Sequence, residues 1–241
     1  LLSYWNSDLK LQQLHDEFIE NTVSNFYFPL GIAPNFIINQ KEFTIPMVIE
    51  ESSVVAAAAK AAKYWSARGG FRTTILGQEK IGQVHFIYTG APEKLSSFFK
   101  SIEVQFHKDT AGITKNMIAR GGGISSLTLV SKTHELKGYY QLHACFNTVD
   151  SMGANFINSC LEQFAKTLVR EAALDETLEH ENPIEIIMSI LSNYVPNCLV
   201  RAEVSCSIDD LESEEGLTKR EFAEKFVRAI EVARIEPHRA V

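Results

Sequence analysis

The stretch that most constrains the fold of this chain runs over residues 46–63, PMVIEESSVVAAAAKAAK. An apolar, strand-like segment leads into two adjacent carboxylates, Glu50 and Glu51, and an alanine-rich helix follows them. We expect Ser52 or Ser53 to cap that helix, because a hydroxyl can accept the unpaired N–H groups of a first turn. The stretch therefore predicts a strand that turns directly into a closely packed helix.

The two carboxylates permit two interpretations. Acidic residues are common at a helix start, where they stabilise the positive end of the helix dipole. Alternatively, the apolar strand and the alanine face bury at least one of Glu50 and Glu51 in part. Desolvation would then raise the pKa of that glutamate and suit it to proton transfer. These residues alone leave both interpretations open.

Two glycine-containing segments are further candidates for ligand contact. Residues 150–155, DSMGAN, lie where a strand is expected to turn into a helix, so backbone N–H groups could face an anion such as a cofactor phosphate. A plain N-cap at Asp150 with a tight turn at Gly153 explains the same residues equally well. Residues 121–123, which follow Arg120, are either a flexible hairpin connection or a phosphate contact.

Apolar spacing and breaker residues predict the remaining elements. Helices are expected over residues 9–26, 54–67, 95–106, 154–169, 184–191 and 217–233. Strands are expected within 35–45 as a pair, and over 81–88, 124–130, 139–148 and 198–206, with a loop at 29–34. From residue 81 the order β-α-β-β-α-β is the ferredoxin-like pattern, and no GxGxxG supports a Rossmann unit. The predicted fold class is α+β, with domains 1–77, 78–208 and 209–241.

Charge and cysteine usage argue against several classes of function. The net charge of −7 and the pI near 5.6 give no general reason to expect nucleic-acid or membrane-surface binding. No apolar run reaches the roughly 18 residues of a membrane span. The four cysteines show no CxxC spacing, which favours free thiols in the cytoplasm. The seven histidines show no HxxxH pair and no cluster with cysteine, so no metal site is expected.

Several motifs occur in one order along the chain: PMVIEESSVVAAAAKAAK, then GGF, DSMGANFIN and ILSN. Together they resemble 3-hydroxy-3-methylglutaryl-coenzyme A (HMG-CoA) reductase, and most of all its shorter, soluble bacterial class. Glu20-Asn21 followed by PLGIA and NF, and PHRAV at 237–241, fall in the family's order as well. Ser24 and Ser52 depart from the glycine and the proline that the family usually has at these positions, which could alter each loop.

The resemblance implies an oxidoreductase of the mevalonate pathway of isoprenoid biosynthesis. Such an enzyme converts HMG-CoA to mevalonate and coenzyme A by two hydride transfers from NADPH or NADH, or runs in reverse. The resemblance also implies a cytoplasmic homodimer or higher homo-oligomer, without a nucleic-acid or membrane partner. Residues 1–77 would be the first part of a large substrate-binding domain, 78–208 a small ferredoxin-like NAD(P)-binding domain that interrupts it, and 209–241 the return to the large domain.

The resemblance also assigns roles to individual positions. Glu51 matches the proton-delivering carboxylate and Asn193 a polar active-site position, while Ser53 and Arg239 match positions that hold the hydroxymethylglutaryl group. The nicotinamide-cofactor loop is matched by Asp150, Met152, Gly153, Ala154 and Asn155. NADH and NADPH are distinguished by a carboxylate at the ribose hydroxyl or a cation at the extra phosphate. The candidates for that role are Asp109, Lys115 and Arg120.

Three catalytic residues of the family have no counterpart within these 241 residues. The lysine that polarises the carbonyl follows the segment matched by Arg239, and an aspartate and a histidine come later. We therefore expect this sequence to be the N-terminal portion of a reductase, able to bind cofactor at best and inactive by itself. The alternative is a catalytically incomplete module for nucleotide or coenzyme A binding and dimerisation.

Overall fold

The computed structural model describes residues 6–49, 51, 53–178, 182–211 and 216–239, without the side chain of Arg239. The chain divides into two compact units. Unit 1 comprises Leu1–Thr73 and Ala202–Val241, and unit 2 comprises Thr74–Arg201. Both contain helices and antiparallel strands, so the predicted α+β class is confirmed in this coarse form.

Unit 2 is organised around an antiparallel sheet. Its elements in chain order are β3 (Arg72–Ile87), α3 (Pro92–Ser101), α4 (Glu103–Ala119), β4 (Gly123–Ser131), β5 (Tyr139–Asn147), α5 (Ala154–Leu174) and β6 (Glu185–Leu191). The first two residues of β3 belong to unit 1. The strand order is β4-β5-β3-β6, and β7 (Cys198–Glu203) also pairs with β3. The register places Val84 opposite Leu142 and His85 opposite Met188.

One face of this sheet forms the hydrophobic core with the helices. Along β5, side chains alternate between the two faces, and Tyr140, Leu142 and Phe146 are buried. This is the period of two that a half-covered strand requires. The helix α5 contributes side chains at helical spacing, which are Ile157, Leu161, Phe164 and Leu168. The alternation in β5 and the spacing in α5 agree with the prediction from the sequence.

The main error of the sequence analysis in unit 2 concerns residues 184–191. We predicted a short helix there, but residues Glu185–Leu191 form β6, which pairs with β3. The segment EIIMSIL is rich in β-branched side chains, and the open side of β3 offers a partner, so strand pairing prevails. The helix expected at 95–106 is divided into α3 and α4 at Ile102.

Unit 1 contains a hairpin and three helices in its described part. These elements are α1 (Leu9–Asp16), β1 (Leu30–Ile38), β2 (Lys41–Val48), α2 (Val54–Ser66) and α6 (Lys219–Ile235), with short 3-10 turns at Ile208–Asp210 and Pro237–Arg239. The hairpin turns at Asn39 and Gln40, whose φ values of 49° and 66° are those of a two-residue hairpin turn. The predicted strand pair and alanine-rich helix are confirmed.

The bounds predicted for two elements of unit 1 are wrong. The helix α1 ends at Asp16 rather than near residue 26. The strand β1 begins at Leu30, within the loop predicted for residues 29–34. An irregularity between Ala33 and Phe36, with Asn35 at φ 72°, accommodates Pro34 within that strand.

The two units differ strongly in how many of their described hydrophobic residues are buried. In the described part of unit 1, the buried hydrophobic residues are Ala33 and Ala62, and the buried polar residue is Gln12. The other buried hydrophobic residues of the described ranges belong to unit 2. The hydrophobic core of these residues therefore lies in unit 2. Among the described residues, no helix combines the length and the apolar character that a membrane span requires.

Candidate active site

The segment between β2 and α2 carries the first candidate residues. Glu51 is exposed, so the burial that we expected for one of the two glutamates is not found at this position. Glu50 and Ser52 lie outside the described residues. Ser53 occupies the N-cap position of α2 with φ 70°, and its side chain makes no capping hydrogen bond. The expected serine cap is therefore wrong for Ser53, because a left-handed N-cap does not hold the hydroxyl over the first turn.

The left-handed conformation of Ser53 is uncommon for a residue with a side chain. It carries a cost of roughly 1–3 kcal/mol, and such residues are concentrated at ligand sites. The carbonyl of Ser53 accepts the N–H of Ala57 at 2.8 Å, so the helix starts normally while the hydroxyl serves no cap. Both Ser53 and Glu51 are exposed. The segment thus presents a carboxylate and a hydroxyl beside a helix start.

The second candidate is the connection between β5 and α5, residues 150–155. Gly153, with φ 78°, is the N-cap of α5 and supplies no side-chain cap, so the interpretation of Asp150 as the N-cap is wrong. Asp150 instead pairs with Arg120 at 3.1 Å on the surface. Met152 is 75% exposed, and Asn155 is exposed too. An uncapped first turn leaves backbone N–H groups available to an anion.

Two hydrogen bonds between Thr148 and Ser151 stabilise the connection between β5 and α5. The hydroxyl of Thr148 donates to the carbonyl of Ser151 at 2.7 Å, and that of Ser151 donates to the carbonyl of Thr148 at 2.8 Å. A Cβ at position 153 would collide with the Thr148 side chain, which is buried. Glycine is therefore required at this position both for its φ and for the space.

Asn193 follows β6 in the same unit and is exposed. The preceding residue, Ser192, donates its N–H to Ile81 at 2.8 Å and its hydroxyl to the carbonyl of Tyr194 at 2.8 Å. One residue earlier, the N–H of Leu191 donates to Oδ1 of Asn158, in α5, at 3.0 Å. The segment that carries Asn193 is therefore tied to both β3 and α5.

Unit 1 contains the remaining candidates, and unit 2 contains the cofactor-loop residues and Asn193. Arg239 ends the 3-10 turn Pro237–Arg239 after α6, and its side chain lies outside the described residues. The structure brings the helix start at Ser53 and Glu51 together within unit 1. Within unit 2, the bond from the N–H of Leu191 to Asn158 connects the segment before Asn193 to the helix that follows residues 150–155.

The structure separates the residues considered for cofactor selectivity. Asp109 accepts hydrogen bonds from Thr167 at 2.6 Å, Arg170 at 2.6 Å and Gln105 at 2.7 Å. The hydroxyl of Thr167, followed by Arg170 and Gln105, holds the pKa of this carboxyl below its usual value. Asp109 thus joins α4 to α5. Arg120, by contrast, lies beside Asp150.

The buried thiols are poor nucleophiles. Burial raises the pKa of Cys160 to about 12 and raises that of Cys145 as well. The four cysteines are free. Within the described ranges, no group of three or more His, Cys, Asp or Glu side chains could hold a metal ion.

Sequence reasoning did not predict the supporting roles of three residues at the candidate site. Thr148 and Ser151 close the connection before α5, and Asn158 contacts the segment before Asn193. The pattern TxxS before a predicted helix could have suggested the first pair, because such hydroxyls often bond to nearby backbone groups. The partner of Asn158 is 33 residues away, and no local pattern indicates it.

Comparison with known proteins identifies the family. The family model described as hydroxymethylglutaryl-coenzyme A reductase matches residues 2–241. The chain belongs to this family. Its HMG-CoA reductase relatives include that of Archaeoglobus fulgidus, 31% identical over 219 residues, which covers 89% of this chain and 47% of the relative. A probable HMG-CoA reductase of Borreliella burgdorferi is 30% identical over 207 residues, covering 83% of this chain and 43% of the relative.

Solved HMG-CoA reductase structures show the same fold. The enzyme of Streptococcus pneumoniae superimposes with a TM-score of 0.79 at 29% identity, covering 95% of this chain and 58% of that one. A structure of the class II enzyme from the same organism, bound to NADPH in open conformations, has the same TM-score and identity. The chain spans about half the length of the relatives that it matches. The resemblance expected from the motifs is confirmed as family membership.

Proposed function

We propose that this chain is part of an HMG-CoA reductase that interconverts HMG-CoA and mevalonate with NADPH or NADH. The observation that carries the proposal is the family match over residues 2–241. The NADPH bound in the class II structure of S. pneumoniae supports the cofactor class. The alternative of a catalytically incomplete binding module has no observation of its own in its favour.

The proposed reaction divides into two reductions. The first hydride adds to the thioester carbon, and the resulting hemithioacetal collapses to an aldehyde as the thiolate of coenzyme A leaves and takes a proton. The second hydride reduces the aldehyde to the primary alcohol of mevalonate. Two NAD(P)H and two protons are consumed, so the site needs a proton donor at the carbonyl oxygen and at the leaving sulfur.

The proposed roles follow the positions of the side chains. Glu51 delivers protons, and its exposure leaves it accessible to a bound thioester. Ser53 and Arg239 bind the hydroxymethylglutaryl group, for which a guanidinium is a suitable carboxylate partner. In unit 2, residues 150–155 bind the nicotinamide cofactor at the uncapped start of α5, and Asn193 contributes a polar group to the active site.

We propose domain roles that match these positions. Unit 2 is the NAD(P)-binding domain with a ferredoxin-like fold, which its antiparallel strand order β4-β5-β3-β6 supports. Unit 1 belongs to the larger domain for substrate and coenzyme A. These roles correspond to the predicted domains 78–208 and 1–77 with 209–241.

We further propose a homo-oligomer in the cytoplasm. The exposed apolar side chains of unit 1, among them Phe226 and Ile235 at 60% and 77% exposure, support assembly with further protein surface. The four free cysteines support a reducing compartment. Size-exclusion chromatography with light scattering would test the assembly, and a monomer would contradict it.

The first test is the Glu51→Gln substitution in the full-length protein that carries this sequence. Oxidation of NADPH, and separately NADH, is followed by absorbance after HMG-CoA is added. We expect wild-type turnover, a loss of at least about 100-fold in kcat for Glu51→Gln, and unchanged cofactor binding, because the amide cannot deliver a proton.

The matched control is Glu42→Gln, which removes another exposed carboxylate from the same hairpin region and should leave kcat unchanged. Absence of wild-type turnover with either cofactor would contradict the proposed function. Full activity of Glu51→Gln alongside an active wild type would contradict the role of Glu51 alone.

A further inference from the structure

The outward N–H at the end of β6 has a specific partner. Ser192 donates its N–H to the carbonyl of Ile81 in β3 at 2.8 Å. Because N–H groups alternate in direction along a strand, the N–H of the preceding residue, Leu191, points away from β3. The sheet order ends at β6 on that side. Oδ1 of Asn158 accepts this N–H at 3.0 Å in a partly buried position.

A glycine in β3 allows α5 to approach closely enough for this bond. Gly82 is opposite Leu191 in the strand register. A Cβ on Gly82 would lie 2.6 Å from Cδ1 of Leu161 and 3.0 Å from Cγ2 of Ile157, both in α5. The helix therefore packs against bare backbone at this point, and Asn158 reaches past the strand edge. The hydrogen bond between Asn158 and Leu191 therefore depends on the close packing of α5 on β3.

The bond joins two parts of the proposed active site. Asn158 lies three residues after Asn155 of the cofactor loop, on the same side of the first turns of α5. Leu191 lies two residues before Asn193. Asn155 and Asn193 themselves are exposed, whereas Asn158 and Leu191, which the hydrogen bond joins, are partly buried. A partly buried amide thus links the start of the cofactor-binding helix to the segment that presents Asn193.

We propose that Asn158 is a positioning residue of the reductase, which holds Asn193 in register with the cofactor loop. This inference rests on the proposed function of residues 150–155 and Asn193. The loop itself is held by the mutual hydrogen bonds of Thr148 and Ser151. Loss of the Asn158 bond therefore removes the tie between the segment at 191–193 and α5, while the bond from Ser192 to β3 remains and the cofactor loop stays in place.

The test compares three variants of the full-length protein. Asn158→Leu keeps the size and removes the acceptor, whereas Asn158→Asp keeps an oxygen that can accept the N–H. Gln163→Leu is the matched control, since Gln163 is a partly buried amide of the same helix that bonds to Thr167 within it. The measurements are kcat, KM, the Kd for NADPH, and hydrogen exchange of the peptide over residues 186–193.

We expect kcat of Asn158→Leu to fall about tenfold, the size of effect that loss of one hydrogen bond can have. The Kd for NADPH should change less than about twofold, since the loop does not depend on this bond. The peptide over residues 186–193 should exchange faster. Asn158→Asp should retain most of the activity, and Gln163→Leu should match the wild type in all four measurements.

Each outcome bears on one claim. An inactive wild type would overturn the proposed function and the positioning role with it. An active wild type with equal kcat in Asn158→Leu and Gln163→Leu would overturn the positioning role alone. Equal losses in Asn158→Asp and Asn158→Leu would overturn it as well, because the acceptor oxygen would not matter. Should Asn158→Leu fail to fold, Asn158→Ser decides, since its hydroxyl is polar but too short to reach Leu191.

Discussion

At the scale of single residues, Asp109 shows how tertiary partners decide what a charge does. Its side chain is 16% exposed and joins three donors from two helices. The sequence offered it as a partner for the cofactor ribose. Thr167 and Arg170 donate to its Oδ2 and Gln105 donates to its Oδ1, so it stabilises the packing of α4 on α5.

The hydrogen bonds to the Asp109 carboxylate predict a free energy of unfolding that depends on pH. The folded pKa of Asp109 lies below the ordinary value of about 3.8, so its stabilisation is fully present above that pH and is lost as the pH falls through the folded pKa. Asp109→Asn should lower the free energy of unfolding by about 1 kcal/mol at pH 7, a modest figure because Arg170 is solvent-exposed. Urea unfolding between pH 7 and pH 3 measures the difference, which should shrink at the acid end.

The control for this measurement is Glu162→Gln, which removes an exposed carboxylate from α5. It should change the unfolding free energy by less than about 0.5 kcal/mol. If Asp109→Asn and the wild type had equal free energies of unfolding at pH 7, the hydrogen bonds to the Asp109 carboxylate would contribute nothing to stability.

At the scale of elements, the backbone conformation at the helix start distinguishes α2 and α5 from the other described helices. The helices α2 and α5 begin at Ser53 and Gly153, which both have positive φ and no side-chain cap. The helix α6 begins with a complete capping box between Thr218 and Glu221. The helices α3 and α4 also lack a side-chain cap, but their N-cap residues, Ala91 and Ile102, have negative φ. An uncapped start with positive φ therefore distinguishes the two motifs assigned to ligand binding. Available N–H groups at these starts fit anionic ligands.

Two glycine substitutions, one at the start of α5 and one inside α4, should have opposite effects on stability. Gly153→Ala should destabilise the protein by about 1–3 kcal/mol and weaken NADPH binding, because φ is 78° and the new Cβ would collide with Thr148. Gly112→Ala, inside α4 with open space around it, should stabilise the protein by about 0.5–1 kcal/mol. Thermal unfolding and NADPH titration measure both, and normal binding by Gly153→Ala would contradict the proposed role of the connection.

At the scale of the whole molecule, the two units differ in how much hydrophobic core each of them contains. Unit 2 contains a cluster of large buried side chains, including Phe86, Phe106 and Phe164. In the described part of unit 1, α6 has no buried residue at all. Packing of apolar side chains is the main source of stability, so most of the stability of these 241 residues comes from unit 2.

This difference predicts uneven hydrogen exchange when residues 1–241 are prepared alone. Amides in β3, β5 and α5 should be the slowest, and amides in α1 and α6 should exchange much faster, because few buried contacts oppose their local opening. Exchange followed by mass spectrometry of peptides gives both rates in one sample. Equal protection of α6 and α5 would contradict the prediction.

The sequence by itself determined what local patterns encode. The family was predicted from motifs that are contiguous in the chain, such as residues 150–155. The hairpin β1–β2, the alanine-rich helix and the buried face of α5 followed from turn residues and apolar spacing, which act over a few residues. These features are predictable because short-range backbone preferences and periodicity set them.

The tertiary structure alone decided features that depend on distant partners. Residues Glu185–Leu191 form a strand because β3 offers an open side, and a window of local spacing cannot contain that information. Asp109 and Asn158 take their roles from partners 58 and 33 residues away. The exposure of Glu51 is of the same kind, since it depends on what the rest of the chain brings to that position. Long-range pairing and packing are properties of the folded chain, so they complete what the local sequence begins.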